Sequence, residues 1–231
     1  MKIMGHRGCR GEAPENTLLG IESAILKGVQ AIEIDVHKTS DNEIVVIHDD
    51  TVDRTTNGKG KIREQTFVDL RKLDAGKKEK IPLLSEVLTL LKNHPNIELQ
   101  IELKAYDCEK RVIQIIKDFD MISRITIISF IHPFLVNIKN IEPSIKTACL
   151  LYGLPVNPVA ITKDARADGL SVSLSTIDKE LVEKCHKASL CVTTWNANTV
   201  EDLRVVVSMG VDYVGTDVPG LIVPAFAKFL S

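Results

Sequence analysis

The sequence predicts an α/β fold of the TIM (β/α)8 barrel type, with a small insertion subdomain after the second strand. Three observations carry this. Short β-branched runs alternate with longer helical patterns along the chain, an alternation that calls for parallel strands joined by helices. There are eight such runs, and most are separated by a segment with room for a helix. The length, 231 residues, suits one large core and lies toward the short end for eight strand–helix units.

The strands are expected near residues 2–6, 31–35, 97–103, 125–129, 146–151, 168–172, 190–194 and 212–215. After the first, Asn16 is placed to cap a helix whose apolar positions Leu18, Ile21 and Ile25 fall at i, i+3 and i+7, with Gly28 just past its end. After the second come about 45 residues before the helix near Pro82, long against ordinary barrel loops, so residues 36–80 read as an insertion over the barrel mouth. It opens with a hairpin, because Ile32–Val36 and Glu43–His48 flank a turn at Asp41-Asn42 too tight to join parallel strands. A two-residue loop there sets Asp35 opposite His48. Late in the chain, Asn198 and Glu201 form a capping-box pattern for a helix ending at Gly210. Without internal repeats or a linker, residues 1–231 read as a single domain.

Composition narrows the function. With 44% hydrophobic and 26% charged residues the chain is globular, and a net charge of -2 with no dense Lys/Arg block speaks against a nucleic-acid partner. No secretory signal precedes the first strand and no apolar run approaches the roughly 18 residues of a membrane span, so a cytoplasmic protein without stable membrane association is expected. Five dispersed cysteines, with no Cys-x-x-Cys pair, read as reduced structural thiols.

Catalytic groups of such barrels lie at the C-terminal ends of the strands. There the sequence places His6 and Arg7, Glu33 and Asp35, Glu102 and Lys104, Ser129, Trp195 and Asn196, and Thr216 and Asp217. Glu33 and Asp35, two apart on one strand, share a face, and two anions on an otherwise apolar strand need neutralising. Glu102 adds a third carboxylate, giving a hard oxygen site suited to Mg²⁺ or Ca²⁺. His6 and His48 flank it as a possible general acid and base, while Arg7 offers a fixed fork and Lys104 a point charge for an anionic substrate. Ion pairing of the three carboxylates with Arg7 and Lys104 is the plainer alternative. Trp195, the only tryptophan, is equally placed for the core or for the pocket wall. Among the remaining histidines only His37, in step with Glu33 and Asp35, has a claim on the site.

These residues, in this order, resemble the glycerophosphodiester phosphodiesterase family over nearly the whole chain. His6-Arg7-Gly8 followed by Pro14-Glu15-Asn16-Thr17 is similar to the family's opening signature, and Ile32–Val36 continuing to His48-Asp49 and Arg54–Gly58 to its second. Glu102-Leu103-Lys104, Ser129-Phe130, Trp195 and Thr216–Pro219 fall where the family keeps similar elements. The resemblance implies His6 and His48 as the acid–base pair, Glu33, Asp35 and Glu102 as ligands of Mg²⁺, Ca²⁺ or Mn²⁺, and Arg7 and Lys104 as phosphate contacts. It further implies cleavage of a small-molecule glycerophosphodiester, such as glycerophosphocholine or glycerophosphoethanolamine, to an alcohol and sn-glycerol 3-phosphate. The Asp41-Asn42 turn and Trp195-Asn196-Ala197-Asn198 depart from the family's usual Asp-Gly and Trp-Thr-Val-Asn. Two rivals stand beside this reading. A lysophospholipase D-type enzyme would want an exposed apolar lip, which 4% aromatic residues do not suggest. A catalytically silent metabolite-binding barrel would not need both histidines and all three carboxylates.

Overall fold

A computed structural model describes residues 1–229. Among these residues nine strands form one sheet: β1 (Lys2–Gly5), β2 (Ala31–Lys38), β3 (Ile44–Val46), β4 (Glu98–Leu103), β5 (Ile125–Ser129), β6 (Lys146–Leu151), β7 (Gly169–Ser173), β8 (Cys191–Trp195) and β9 (Tyr213–Thr216). The order is β1-β9-β8-β7-β6-β5-β4-β2-β3, and a further β1–β2 pairing closes all but β3 into an eight-stranded parallel barrel. Seven of the expected strands end within one residue of their predicted limits, while β2 runs three residues further, into the hairpin. Around the barrel stand α1 (Leu18–Leu26), α3 (Leu84–Lys92), α4 (Glu109–Asp118), α5 (His132–Ile141), α6 (Pro158–Asp164), α7 (Lys179–Lys187), α8 (Val200–Met209) and α9 (Pro219–Phe229), with the one-turn α2 (Phe67–Leu70) in the insertion. No helix among the described residues is long and apolar enough to cross a membrane.

β2 shows how the barrel sorts its side chains. Ile32, Ile34 and Val36 point outward into the main core shared with the helices, and the alternate residues Glu33, Asp35 and His37 point inward, so the strand is buried on both faces. Parallel register then sets the heights. Asp35 lies beside Glu102 on β4, and the pairing of Gly5 with Thr216 brings the next residues, His6 and Asp217, together at the same rim.

The hairpin differs from the expected register by one residue. Val36 pairs with Val46 and Lys38 with Ile44, because the loop has three residues, Ser40–Asn42, with Asn42 in the left-handed region at φ 65°. Asp35 therefore lies opposite Ile47, whose N–H donates to the Asp35 carbonyl at 3.0 Å. The strand has ended by then. His48 sits in a bend beyond it, where strand parity no longer decides its direction. β3 and the residue after it divide between two cores: Ile44 and Val46 join the barrel core, while Val45 and Ile47 join a separate small cluster with Val52, Ile62, Leu70, Ala75 and Ile81 inside the insertion. Arg71 ties this unit to α3 through a bidentate pair with Glu86, both contacts 2.6 Å.

Both predicted helix caps lie one residue later than expected. Thr17, not Asn16, caps α1 by accepting from Gly20 N–H, and Thr199 with Asp202, not Asn198 with Glu201, forms the capping box of α8. Gly210 ends α8 in the left-handed conformation, as the pattern required. The five cysteines form no disulfide, and four are buried.

Candidate active site

The first strand ends in a turn that only its glycines permit. Arg7 and Gly8 both have positive φ, 49° and 81°, and a Cβ on Gly8 would lie 2.7 Å from the Gly20 backbone. A Cβ on Gly5 would meet the Gly8 carbonyl at 2.1 Å. This fold-back aims the Arg7 N–H at the Glu33 carboxylate, 2.9 Å away, and leaves His6 at the rim.

His6 Nδ1 lies 2.6 Å from Asp217 Oδ1, and the Asn196 amide is 2.9 Å from the same nitrogen. A carboxylate can only accept, so Nδ1 carries a proton for Asp217, and Nε2 lies 3.9 Å from Glu33. Asp217 is itself held by Asn198, which donates to Oδ2 at 2.8 Å and accepts from the Asp217 N–H at 2.8 Å. Burial raises the Asp217 pKa, but the hydrogen bonds from His6 and Asn198 outweigh it and hold the carboxyl below its ordinary value.

His48 repeats the arrangement. Its Nδ1 is 2.6 Å from Asp49 Oδ1, and Arg54 grips Asp49 at 2.7 and 3.0 Å while its other face pairs twice with Glu15. Arg54 and His48 together hold Asp49 well below the usual carboxylate range. Burial pushes the His48 pKa down despite the nearby Asp35 and Asp49 charges. The buried His37 fixes the same stretch through its Nε2, 3.0 Å from the His48 carbonyl.

Between these imidazoles the three carboxylates converge. One oxygen from each of Glu33, Asp35 and Glu102 lies within 4.8 Å of the others, and all three residues are buried. Lys104 pairs with Glu102 at 2.8 Å and Asp35 at 3.5 Å, and Arg7 reaches Asp35 at 3.4 Å and Glu15 at 2.9 Å. Ion pairing is thus present, but two cations face three anions and Arg7 is shared with a fourth. The deficit shifts the carboxyl pKa values. Burial, followed by the Asp35 charge, raises Glu102 to about 7, and burial with its carboxylate neighbours lifts Glu33 well above the ordinary range. Asp35 is also pushed up by burial, yet Lys104, Arg7, His48 and the Asn16 amide bring it below its usual value. Asp35 Oδ1 nevertheless accepts no hydrogen bond. A buried anionic oxygen that accepts no hydrogen bond and has only the longer Lys104 ion pair, among carboxylates that resist ionising together, fits a hard divalent cation.

Of the eight residues singled out from the sequence, His6, Arg7, Glu33, His48, Glu102, Lys104 and Trp195 line one cavity of about 210 Å³, and Asp35 is buried behind them. Trp195 serves both expected roles, walling the cavity and packing on Ile128, Ala148 and Leu150. Ser129 stays out, its hydroxyl donating to the Leu103 carbonyl. The sequence reading assigned no role to Asp217, Asp49, Arg54, Glu15 or Arg10, or to Asn16 and Asn198 beyond a cap. The positions of Asp49 next to His48 and of Asp217 at a strand end were the available signals.

The fold and the site together define a TIM-barrel enzyme with an acidic centre set between two carboxylate-backed histidines at the mouth. The chain belongs to the glycerophosphoryl diester phosphodiesterase family, whose model matches residues 6–221. It is 35% identical over 237 residues to a glycerophosphodiester phosphodiesterase of Caldanaerobacter subterraneus subsp. tengcongensis, with 98% of each chain covered. A glycerophosphodiester phosphodiesterase of Bacillus altitudinis is 32% identical, with 94% of this chain and 95% of the relative covered. Among solved structures, an Oleispira antarctica phosphodiesterase in complex with the product sn-glycerol-3-phosphate superposes with a TM-score of 0.92 at 27% identity, covering 98% of this chain and 97% of that one.

Proposed function

We propose that this protein hydrolyses glycerophosphodiesters to an alcohol and sn-glycerol 3-phosphate, with His6 and His48 as the acid–base pair. Glu33, Asp35 and Glu102 would hold a divalent cation, and Arg7, Lys104 and Trp195 would contact the substrate. Residues 1–231 act as one catalytic unit in this reading, with 36–80 covering the mouth. The observation that carries it is the convergence of three buried carboxylates between two histidines whose Nδ1 atoms are each held by a separate aspartate. Family membership and the product bound by the Oleispira antarctica relative support the substrate class.

Each histidine presents Nε2 to the cavity because its Nδ1 proton is committed to Asp217 or Asp49. Burial favours the neutral form of His48, which suits it to take a proton from the attacking water as its oxygen bonds to phosphorus, while His6, protonated on Nε2 as well as Nδ1 in this role, donates the Nε2 proton to the alcohol oxygen as its bond to phosphorus breaks. Arg7 and Lys104 orient the phosphoryl oxygens. When bound, a Mg²⁺, Ca²⁺ or Mn²⁺ ion supplies Lewis acidity, neutralising phosphoryl charge and easing ionisation of the nucleophile.

A coupled glycerol 3-phosphate assay across choline, ethanolamine, glycerol and inositol diesters, with and without chelator, tests the proposal. Release of glycerol 3-phosphate that chelation abolishes is expected. No release under saturating Mg²⁺, Ca²⁺ or Mn²⁺ overturns it and leaves a metabolite-binding barrel.

A further inference from the structure

Among the described residues, the Lys and Arg side chains that line the cavity are Arg7, Arg10 and Lys104. Two of them are already committed. Arg7 pairs with Glu15 and Asp35, and Lys104 pairs with Glu102 and Asp35. Arg10 differs from both. Its guanidinium donates no hydrogen bond to a described residue, and its protein partner is Asp217, in an ion pair of Nε with Oδ1 at 3.3 Å. The two terminal nitrogens of the fork keep all their donors for something else.

The backbone fixes this side chain at the rim. Arg10 lies on the turn after β1, where its N–H donates to the His6 carbonyl at 3.4 Å, and Gly11 donates to the Asp217 carbonyl at 2.9 Å. A Cβ on Gly11 would lie 2.8 Å from that carbonyl oxygen, so the turn is seated directly on the end of β9. A solvated surface arginine is the ordinary alternative, but only 37% of this side chain is exposed and it lines the cavity with His6. Nor does Asp217 depend on it. His6 at 2.6 Å and Asn198 at 2.8 Å already hold that carboxylate, and the Arg10 charge ranks behind both in keeping it ionised. Once His6 carries the proton that it donates, the imidazolium neutralises Asp217 and the Arg10 charge is left uncompensated.

We infer that Arg10 receives an anionic group, a carboxylate or a phosphate, carried by the departing alcohol, so that the enzyme favours glycerophosphodiesters whose headgroup bears this second negative charge. The inference rests on the hydrolytic reading above, in which His6 protonates the departing oxygen. Arg10 and His6 share Asp217 Oδ1, which puts the guanidinium on the side where that alcohol leaves. The scissile phosphate has its own cations in Arg7 and Lys104. A flat fork with free donors matches the paired oxygens of a carboxylate or phosphate, whereas a headgroup with only an ammonium would set a cation against a cation.

The test measures kcat/KM for two matched pairs of diesters with Mg²⁺ or Ca²⁺ present. Glycerophosphoserine differs from glycerophosphoethanolamine by one carboxylate, and glycerophosphoglycerol phosphate differs from glycerophosphoglycerol by one phosphate. The wild-type protein should favour the anionic member of at least one pair by roughly tenfold, the contribution of charge-assisted hydrogen bonds at a partly open site, and the pair that shows it tells carboxylate from phosphate. Arg10→Gln should erase that preference, and Arg10→Lys, which keeps the charge without the fork, should retain part of it. Each ratio is independent of how much of a variant is folded. No wild-type preference in either pair overturns the inference. So does a preference that survives Arg10→Gln, including an equal fall on every diester, the result expected if Arg10 served only the scissile phosphate or the His6–Asp217 pair. Failure to cleave any diester overturns the hydrolytic reading beneath it.

Discussion

Asn16 and Asn198 each abandon the helix cap that their sequence context suggests and instead hold a carboxylate of the candidate site, Asn16 clasping Asp35 and Asn198 clasping Asp217. A threonine in the next position takes over each cap, so helix and site are served by adjacent residues. Capping preference is local and could be read from the chain, but a carboxylate 19 residues distant could not. The same holds for Asp217, 211 residues from His6. Its role predicts that Asp217→Asn lowers kcat by about 10–100-fold with metal affinity retained, and alters the pH–rate profile because His6 loses the partner that fixes its tautomer. His6→Ala and His48→Ala should each lower turnover by at least ~10²-fold while calorimetry still registers the cation. Glu102→Ala should act first on that affinity, and wild-type binding by this variant would remove Glu102 from the ligand set.

The eight barrel strands were legible because burial on both faces writes near-continuous apolar runs, and the paired Glu33 and Asp35 stand out against such a run. The hairpin register was not, since a loop of two or three residues depends on whether Asn42 accepts a left-handed conformation, and nothing local forces that choice. His48 reaches the site through the bend after β3 and through the small core under it. Ile62→Ala, which hollows that core, should cost about 2–4 kcal/mol of local stability. Activity should then fall well before barrel helicity does, measured by turnover and far-UV circular dichroism along one thermal ramp, and simultaneous loss would argue against a separate cluster. Arg54→Ala loosens the strap between Glu15 and Asp49 that joins the insertion to the first loop. Its exposed position limits the stability change to about 1 kcal/mol or less, so a drop in kcat without a matching drop in Tm is expected.

At the scale of the whole molecule the acidic centre is a liability that the fold tolerates. Glu102 titrates near 7 in the folded chain against an ordinary value of 4.5, so the folded state holds a proton that the unfolded chain releases. The contribution to stability is complete below the unfolded pKa and is lost as pH rises through about 7. Chelated protein should therefore melt lower at pH 8 than at pH 5.5, and added Mg²⁺ or Ca²⁺ should raise Tm by several degrees more at the higher pH, where the cation meets no competing proton. An equal shift at both values would mean that binding displaces no proton there. The first and last of the barrel strands lie side by side where β1 pairs with β9, and that seam has a consequence for how the molecule comes to life. His6 leaves the ribosome 211 residues ahead of Asp217, so a site that needs both must stay silent in the nascent polypeptide until β9 has zipped onto β1.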